Sequence, residues 1–492
     1  MALETIFDGR LDGQHPSVQI MGFVTFRAKP ILVLPCCTVH KSQPERRPGR
    51  AIVIGGSVAG LLAARVLSDF FLDVVVLERD AYPTVAPDYR KGLPQARHQH
   101  ILLTKGREVF EQLFPGFDAA LARTGAEIAD HTRDMALFSA SGQLPRFTSG
   151  IELRLASRIQ IDWILLGFLR KLDNVRIIES TSVAGLHYDG HRVRGVEFVD
   201  GPVMPADLVI DATGRGSMAP KWMQEMGFAR PAEEVIDAKL GYASRFYERS
   251  ATHPSDFKAL AMTPIPLSNP RAVGLWQVEG NRWLLTLIGT AGHYPPTEEA
   301  AFLEFASQLG DPIISNTIRH LRPCSDIVAF KGTANRWRHF ERLKQTPERL
   351  LVIGDAYCAF SPFYGQGMTM AGLSALVLRD ALQKHCQSAI PNFKAAQQEY
   401  FRKTGAVFKS PWILATGEDL RWPTTTGATP DFMTRASHQI MGLLIPLSTK
   451  SQLLVRNFLR ISNMTASPVI LLDPRILGQL LWHWIRYPWI RR

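Results

Sequence analysis

A chain of 492 residues, 46% hydrophobic and 21% charged, can bury a large core in two or three lobes, which excludes a disordered or fibrous protein. The formal charge of +11 is concentrated late, since residues 431–492 carry seven arginines and one lysine against Asp431 and Asp473. That excess admits nucleic acid or an anionic membrane as a partner, but a mildly basic enzyme handling anionic cofactors accounts for it more simply, so nucleic acid is set aside.

Residues 1–49 read as an extension ending in the polar linker Lys41–Arg50. An apolar strand Ala51–Ile54, a turn Gly55–Gly60, a helix Leu61–Phe70 and a second apolar strand Asp73–Leu77 follow. This βαβ unit requires a parallel sheet covered on both faces. Residues 100–125 have helical spacing, and another helix is predicted over Ile159–Leu172. Strands are predicted at Val175–Glu179, Val193–Val199 and Leu208–Asp211. The alternating runs Leu240–Tyr247, Ala272–Val278 and Trp283–Ile288 predict an antiparallel sheet with one buried face. Leu350–Ile353 returns to a buried strand and Gly367–Lys384 to a helix, and the chain beyond about residue 410 is helical. The fold class is therefore α/β with an α+β second lobe. Residues 50–235 and 336–410 form a Rossmann-type domain, 236–335 an antiparallel substrate domain, and 411–492 a helical C-terminal region.

The turn Gly55-Gly56-Ser57-Val58-Ala59-Gly60 has the setting of a dinucleotide fingerprint. Gly55 makes the tight turn, the second slot admits a pyrophosphate, and Gly60 lets helix pack on strand. Ser57 fills the second slot; it is small, and its hydroxyl can donate to phosphate. The helix behind it adds free N–H groups and dipole. Glu78, closing the second strand, is placed to accept both ribose hydroxyls, and its charge favours FAD or NAD over NADP. Arg79 follows as a further cofactor contact.

Two later segments have the same character. Leu208–Asp211 runs into the small residues Ala212-Thr213-Gly214, where Gly214 allows close approach. Leu350–Ile353 runs into Gly354-Asp355-Ala356, then Gly365-Gln366-Gly367 at a helix start. Asp355 can accept from a ribityl hydroxyl. Gln366, Gly367 and Met368, with Thr369 closing the segment, present backbone N–H groups where a reduced flavin is anionic.

Together these segments resemble the flavoprotein monooxygenase superfamily typified by p-hydroxybenzoate hydroxylase, over roughly residues 50–385. The resemblance implies FAD, with Arg158 at a helix start reaching the phosphates. It also implies NAD(P)H as a transient co-substrate and transfer of one O₂ oxygen through a flavin hydroperoxide. Lys91–His100, with Leu113-Phe114-Pro115-Gly116, is similar to the polyene epoxidases of polyether assembly. That similarity implies epoxidation, or hydroxylation, of a small apolar secondary metabolite. Ala212-Thr213 stands where the hydroxylases usually have Ala-Asp. Flavin halogenases and geranylgeranyl reductases share such variants, which keeps a flavin reductase or dehydrogenase of an isoprenoid or polyketide open. A flavin-binding redox sensor is the non-enzymatic alternative.

His98 and His100 are candidate catalytic residues, with helix capping or packing as the competing reading. Alternation is read as placing Tyr242 and Tyr247 on one face of a substrate-domain strand and Arg245 near the other. No metal is expected, because histidines and cysteines lack ligand spacing. Cys36, Cys37, Cys324, Cys358 and Cys386 form no C-x-x-C pair, which points to a reducing, cytoplasmic setting. No run reaches the ~18 apolar residues of a membrane span. The aromatic and arginine-rich tail Trp482–Arg492 admits a peripheral membrane contact beside simple docking of a last helix.

Overall fold

The computed structural model describes residues 48–486 apart from 200, 253 and 389. These lie within one compact unit, Glu45–Arg492. Nearly all of the extension 1–49 and the tail 487–492 fall outside the described residues.

Short runs of Val, Ile and Leu build a five-stranded sheet in the order Leu350–Val352, Leu208–Asp211, Arg50–Ile54, Asp73–Leu77, Val175–Ile178. Every pairing in it is parallel. Both faces are covered, so Ile52, Val53 and Val74 to Val76 are wholly buried. For the same reason the helix Val58–Leu67 is apolar but for Arg65. Each buried leucine there contributes about 1.5–3 kcal/mol.

The chain lays strands outward from Arg50–Ile54 and then reverses to Leu208–Asp211 on its other side. In register, Ile54 lies opposite both Leu77 and Asp211, and Asp211 opposite Val352. Gly55, Glu78, Ala212 and Ile353 therefore leave the sheet along one edge. That edge is a topological switch point, where open α/β sheets bind ligands.

A seven-stranded sheet forms the second layer, in the order Val328–Phe330, Gly241–Glu248, Arg282–Gly289, Arg271–Val278, Ala259–Met262, Met135–Ser139, Gly142–Gln143. Its last two strands come from residues 135–143, ahead of the predicted 236–335 segment. Met135–Ser139 joins by a parallel pairing to Ala259–Met262. The central strands are buried on both faces, not on one as alternation implied. One face packs on the helices Glu299–Ser307 and Ile313–Ile318 through Leu275, Leu285, Phe302 and Ile314. The other carries Tyr242, Ala272 and Ile288 against Phe330 and Phe363.

The predicted helix over 100–125 is two, Thr104–Leu113 and Phe117–Arg123, because Gly116 turns the chain at φ +88°. Beyond Gly367–His385 the chain is helical, but Phe393–Asp419 runs straight across the predicted boundary at 410. Among the described residues no helix is long and apolar enough to cross a membrane.

Candidate active site

At the switch point lies a cavity of about 610 Å³ that reaches from Glu78 to Tyr242 and Phe330 of the second sheet. Its floor is the glycine turn. Gly55 has φ +102°, and its N–H donates to the Leu77 carbonyl at 2.8 Å. A β-carbon on Gly60 would lie 1.8 Å from the Gly55 carbonyl, so Gly60 packs helix on strand behind the cavity rather than lining it. Ser57 lines the cavity and leaves the helix uncapped. Its hydroxyl accepts from Arg158 Nη2 at 2.8 Å. Arg158 starts the helix Arg158–Leu169, with its Nε donating to Asp162 at 3.0 Å. A guanidinium, itself paired with Asp162, and an uncapped helix end thus meet in one place, an arrangement suited to an anion.

Glu78 is buried beside this site. It accepts from the N–H groups of Gly56 at 2.7 Å and Asp80 at 3.0 Å, and pairs with Arg90 at 3.2 Å. Two acceptor positions on a carboxylate oxygen usually leave room for a further donor such as a ribose hydroxyl. Burial holds the Tyr82 phenol far above its usual pKa, so it stays protonated and donates to the Gly56 carbonyl. Arg79 is exposed at the rim, its Nη2 reaching the Gly92 carbonyl at 3.4 Å. Neither Arg90 nor Tyr82 carried a motif that could have revealed it.

On the opposite rim Asp211, wholly buried, accepts from Thr213 N at 2.8 Å, Thr213 Oγ1 at 2.6 Å and Ser217 Oγ at 2.5 Å. It locks the turn that carries Gly214, whose φ is +76° and whose Cα faces open space. Arg215 ties this turn to the carbonyls of Ala334 and Phe360, each at 2.6 Å. Asp355 borders the cavity, and among the described residues its one ion pair is with Arg215 at 3.8 Å, so its carboxylate has room to accept. Gly365 has φ +65°, and Gly367 and Met368 bring the start of their helix to the wall. Gln366 and Thr369 lie behind that wall. The Thr369 hydroxyl sits where a β-carbon on Gly106 would come within 2.5 Å, so any contact from these two is through backbone.

The far wall is apolar, formed by Ile101, Tyr242, Phe330, Phe360 and Pro362 beside His98, Gln99 and His100. His98 Nδ1 meets Ser244 Oγ at 2.8 Å, and His100 Nδ1 meets the His98 carbonyl at 3.0 Å. Burial, assisted by Arg97, lowers His98 to about 4. Burial and the Arg158 charge lower His100 to about 3. Both imidazoles are neutral at physiological pH. Tyr242 and Tyr247 do not share a face, because five residues along a strand is an odd step. Tyr242 faces the cavity, whereas Tyr247 lies in the core beneath the other face with Arg245 over its ring. Arg245 pairs with Glu299 at 2.7 Å, away from the site.

Behind Pro362 and Gly365 sits a buried carboxylate that no motif announces. Asp419, at the end of its helix, accepts from Tyr364 at 2.7 Å and Asn335 at 2.6 Å. Asn335 in turn accepts from Ser361 N at 2.7 Å. Burial pushes Asp419 up to about 6.

The fold is similar to those of solved flavin-binding proteins. The structure of Klebsiella pneumoniae HpxO complexed with FAD and uric acid matches with a TM-score of 0.60 at 18% identity, covering 85% of this chain and 97% of that one. In sequence, the chain is 30% identical over 462 residues to Protein Rv3254 of Mycobacterium tuberculosis, covering 90% of this chain and 94% of the relative, and it belongs to the same family as that protein. It is also 25% identical over 371 residues to kynurenine 3-monooxygenase of Xanthomonas axonopodis pv. citri, covering 70% and 75% of the two chains. No protein-family model matches the chain.

Proposed function

We propose that this chain is an FAD-dependent monooxygenase that uses NAD(P)H and adds one oxygen of O₂ to a small, largely apolar organic substrate, by epoxidation of an alkene or hydroxylation of an electron-rich ring. One observation carries the reading: a single cavity joins the glycine turn, the Gly214 turn and the Asp355–Met368 segment to an apolar wall from a second sheet. HpxO bound to FAD and uric acid, and the kynurenine 3-monooxygenase likeness, support it.

In this reading Arg158 and the helix end at Val58 offset the charge of the two phosphates, and Glu78 accepts from the adenosine ribose. Asp355 accepts from the ribityl chain, and the amides of Gly367 and Met368 face the negative edge of the ring. FAD, when bound, would supply the redox and oxygen chemistry. Phe330, Tyr242 and Phe360 keep water from the reacting centre. Both cavity histidines are neutral, so they serve as hydrogen-bonding groups rather than as cations.

Purified protein is expected to be yellow and to couple NADPH oxidation to O₂ uptake when offered alkenes or electron-rich aromatics. Colourless protein that takes up no added FAD overturns the proposal. Yellow protein that oxidises NADPH and reduces an alkene without consuming O₂ replaces it with a reductase.

A further inference from the structure

Three neighbouring strands of the second sheet place Ser244, Thr286 and Gly274 side by side, with Thr286 opposite each of the other two. This row is small and polar between the apolar residues Tyr242, Ala272 and Ile288 on one side and Phe246 and Leu284 on the other. Over it runs the segment of His98 and Gln99. His98 Nδ1 lies 2.8 Å from Ser244 Oγ, Ser244 Oγ lies 2.7 Å from Thr286 Oγ1, and Gln99 N donates to Thr286 Oγ1 at 3.2 Å. The Gln99 carboxamide occupies the space left by Gly274, where a β-carbon would fall 1.8 Å from Gln99 Oε1.

Hydrogen counting gives this chain a direction. Thr286 and Ser244 are both buried. Thr286 already receives the Gln99 N–H, and the acceptor within reach of its own proton is Ser244. Ser244 must then donate to His98 Nδ1, which leaves the imidazole proton on Nε2. The opposite direction would strand the Thr286 proton in the core. His98 Nε2 is itself buried with no partner among the described residues, as is Gln99 Nε2, and both side chains border the cavity. A donor held in one tautomer yet lacking an acceptor is costly unless a ligand supplies one.

Resting on the monooxygenase reading, we infer that the Ser244–Thr286 relay fixes His98 as an Nε2–H donor for an oxygen of the substrate, with Gln99 as a second donor on the same wall. The substrate class is thus an unsaturated or aromatic molecule bearing a carbonyl or phenolic oxygen, rather than a pure hydrocarbon. A neutral oxygen suits neutral donors on a buried, largely apolar wall, where burial disfavours an anion.

Two measurements test this. Histidine-labelled full-length protein, examined by heteronuclear NMR with His98→Gln to assign the signal, should show a neutral Nε2–H imidazole at neutral pH. An Nδ1–H form or an imidazolium overturns the relay. That readout needs no flavin, so it stands or falls apart from the monooxygenase reading. The second uses the isosteric pair acetophenone and α-methylstyrene, with phenol and toluene as another pair, titrated against the flavin spectrum of the holoenzyme. The oxygen-bearing members should bind about tenfold tighter. His98→Leu should erase the gap while hydrocarbon binding persists, and Ser244→Ala, which keeps the imidazole, should narrow it and serves where the leucine variant does not fold. Equal binding within each pair, a gap that survives both variants, or no binding of the oxygen-bearing probes overturns the substrate class.

Discussion

The two ends of the cavity are built on opposite rules. At the glycine-turn end nearly every polar atom is paired: Glu78 serves two backbone donors and Arg90, and Arg158 bridges Ser57 and Asp162. At the far end the surface is largely apolar, and two of its buried polar atoms, His98 Nε2 and Gln99 Nε2, have no partner among the described residues. A cofactor of constant structure can be met by a pre-satisfied frame that needs only a few free groups. On the proposed reading, a substrate would supply what the wall lacks, and the unpaired atoms would mark where it sits.

Substitutions at the two ends should separate cofactor effects from substrate effects. The largest is Gly56→Val, since a β-carbon there would lie 2.0 Å from the Tyr82 hydroxyl. It should weaken flavin binding by at least about 100-fold, roughly 3 kcal/mol, seen as colourless purified protein. Arg158→Met removes the cation beside Ser57 and should raise the FAD dissociation constant roughly 10- to 100-fold in fluorescence titration, as expected for a charge-assisted hydrogen bond. Retained affinity in that variant would break the assignment of this end to the phosphates.

Asp419→Asn tests the clamp behind the far wall. The folded-state pKa of Asp419 is raised to about 6 from 3.8, so the native protein holds its proton more tightly than the unfolded chain. The ionised carboxyl therefore costs stability above pH 6, and the cost is relieved as pH falls from about 6 to about 4. Thermal unfolding of the wild type at acid and neutral pH should show this loss with rising pH, on the order of 3 kcal/mol, and the asparagine variant should lack it. Phe330→Ala should raise KM for the substrate by about tenfold, the cost of a partly buried aromatic, with flavin content unchanged. The smallest effect is expected for Arg245→Ala, which breaks a pair with exposed Glu299 on the other face of the sheet. It should cost under about 1 kcal/mol and leave turnover within twofold. A large loss there would contradict the placement of Arg245 outside the cavity.

The sequence by itself determined the parallel unit and the first end of the site. Asp73–Leu77 and Leu208–Asp211 have the predicted bounds, and the turn at Gly55, the acid at Glu78 and the entry at Gly365–Met368 all border the cavity. Such features are local. An apolar run, a positive φ and a helix start are properties of a few consecutive residues, and only certain side chains satisfy them. Tertiary structure alone decided the rest. Met135–Ser139 joins Ala259–Met262 across more than a hundred residues, and helices covering the second face of that sheet hid the alternation a half-exposed sheet would show. Arg90 and Asp419 gain meaning only from partners distant in the chain. Ser57 accepts from Arg158, a hundred residues further along the chain, which leaves its own proton free for the phosphate the sequence suggested. Pairing of polar groups across a folded core depends on which strands lie side by side, and no local pattern of residues encodes that.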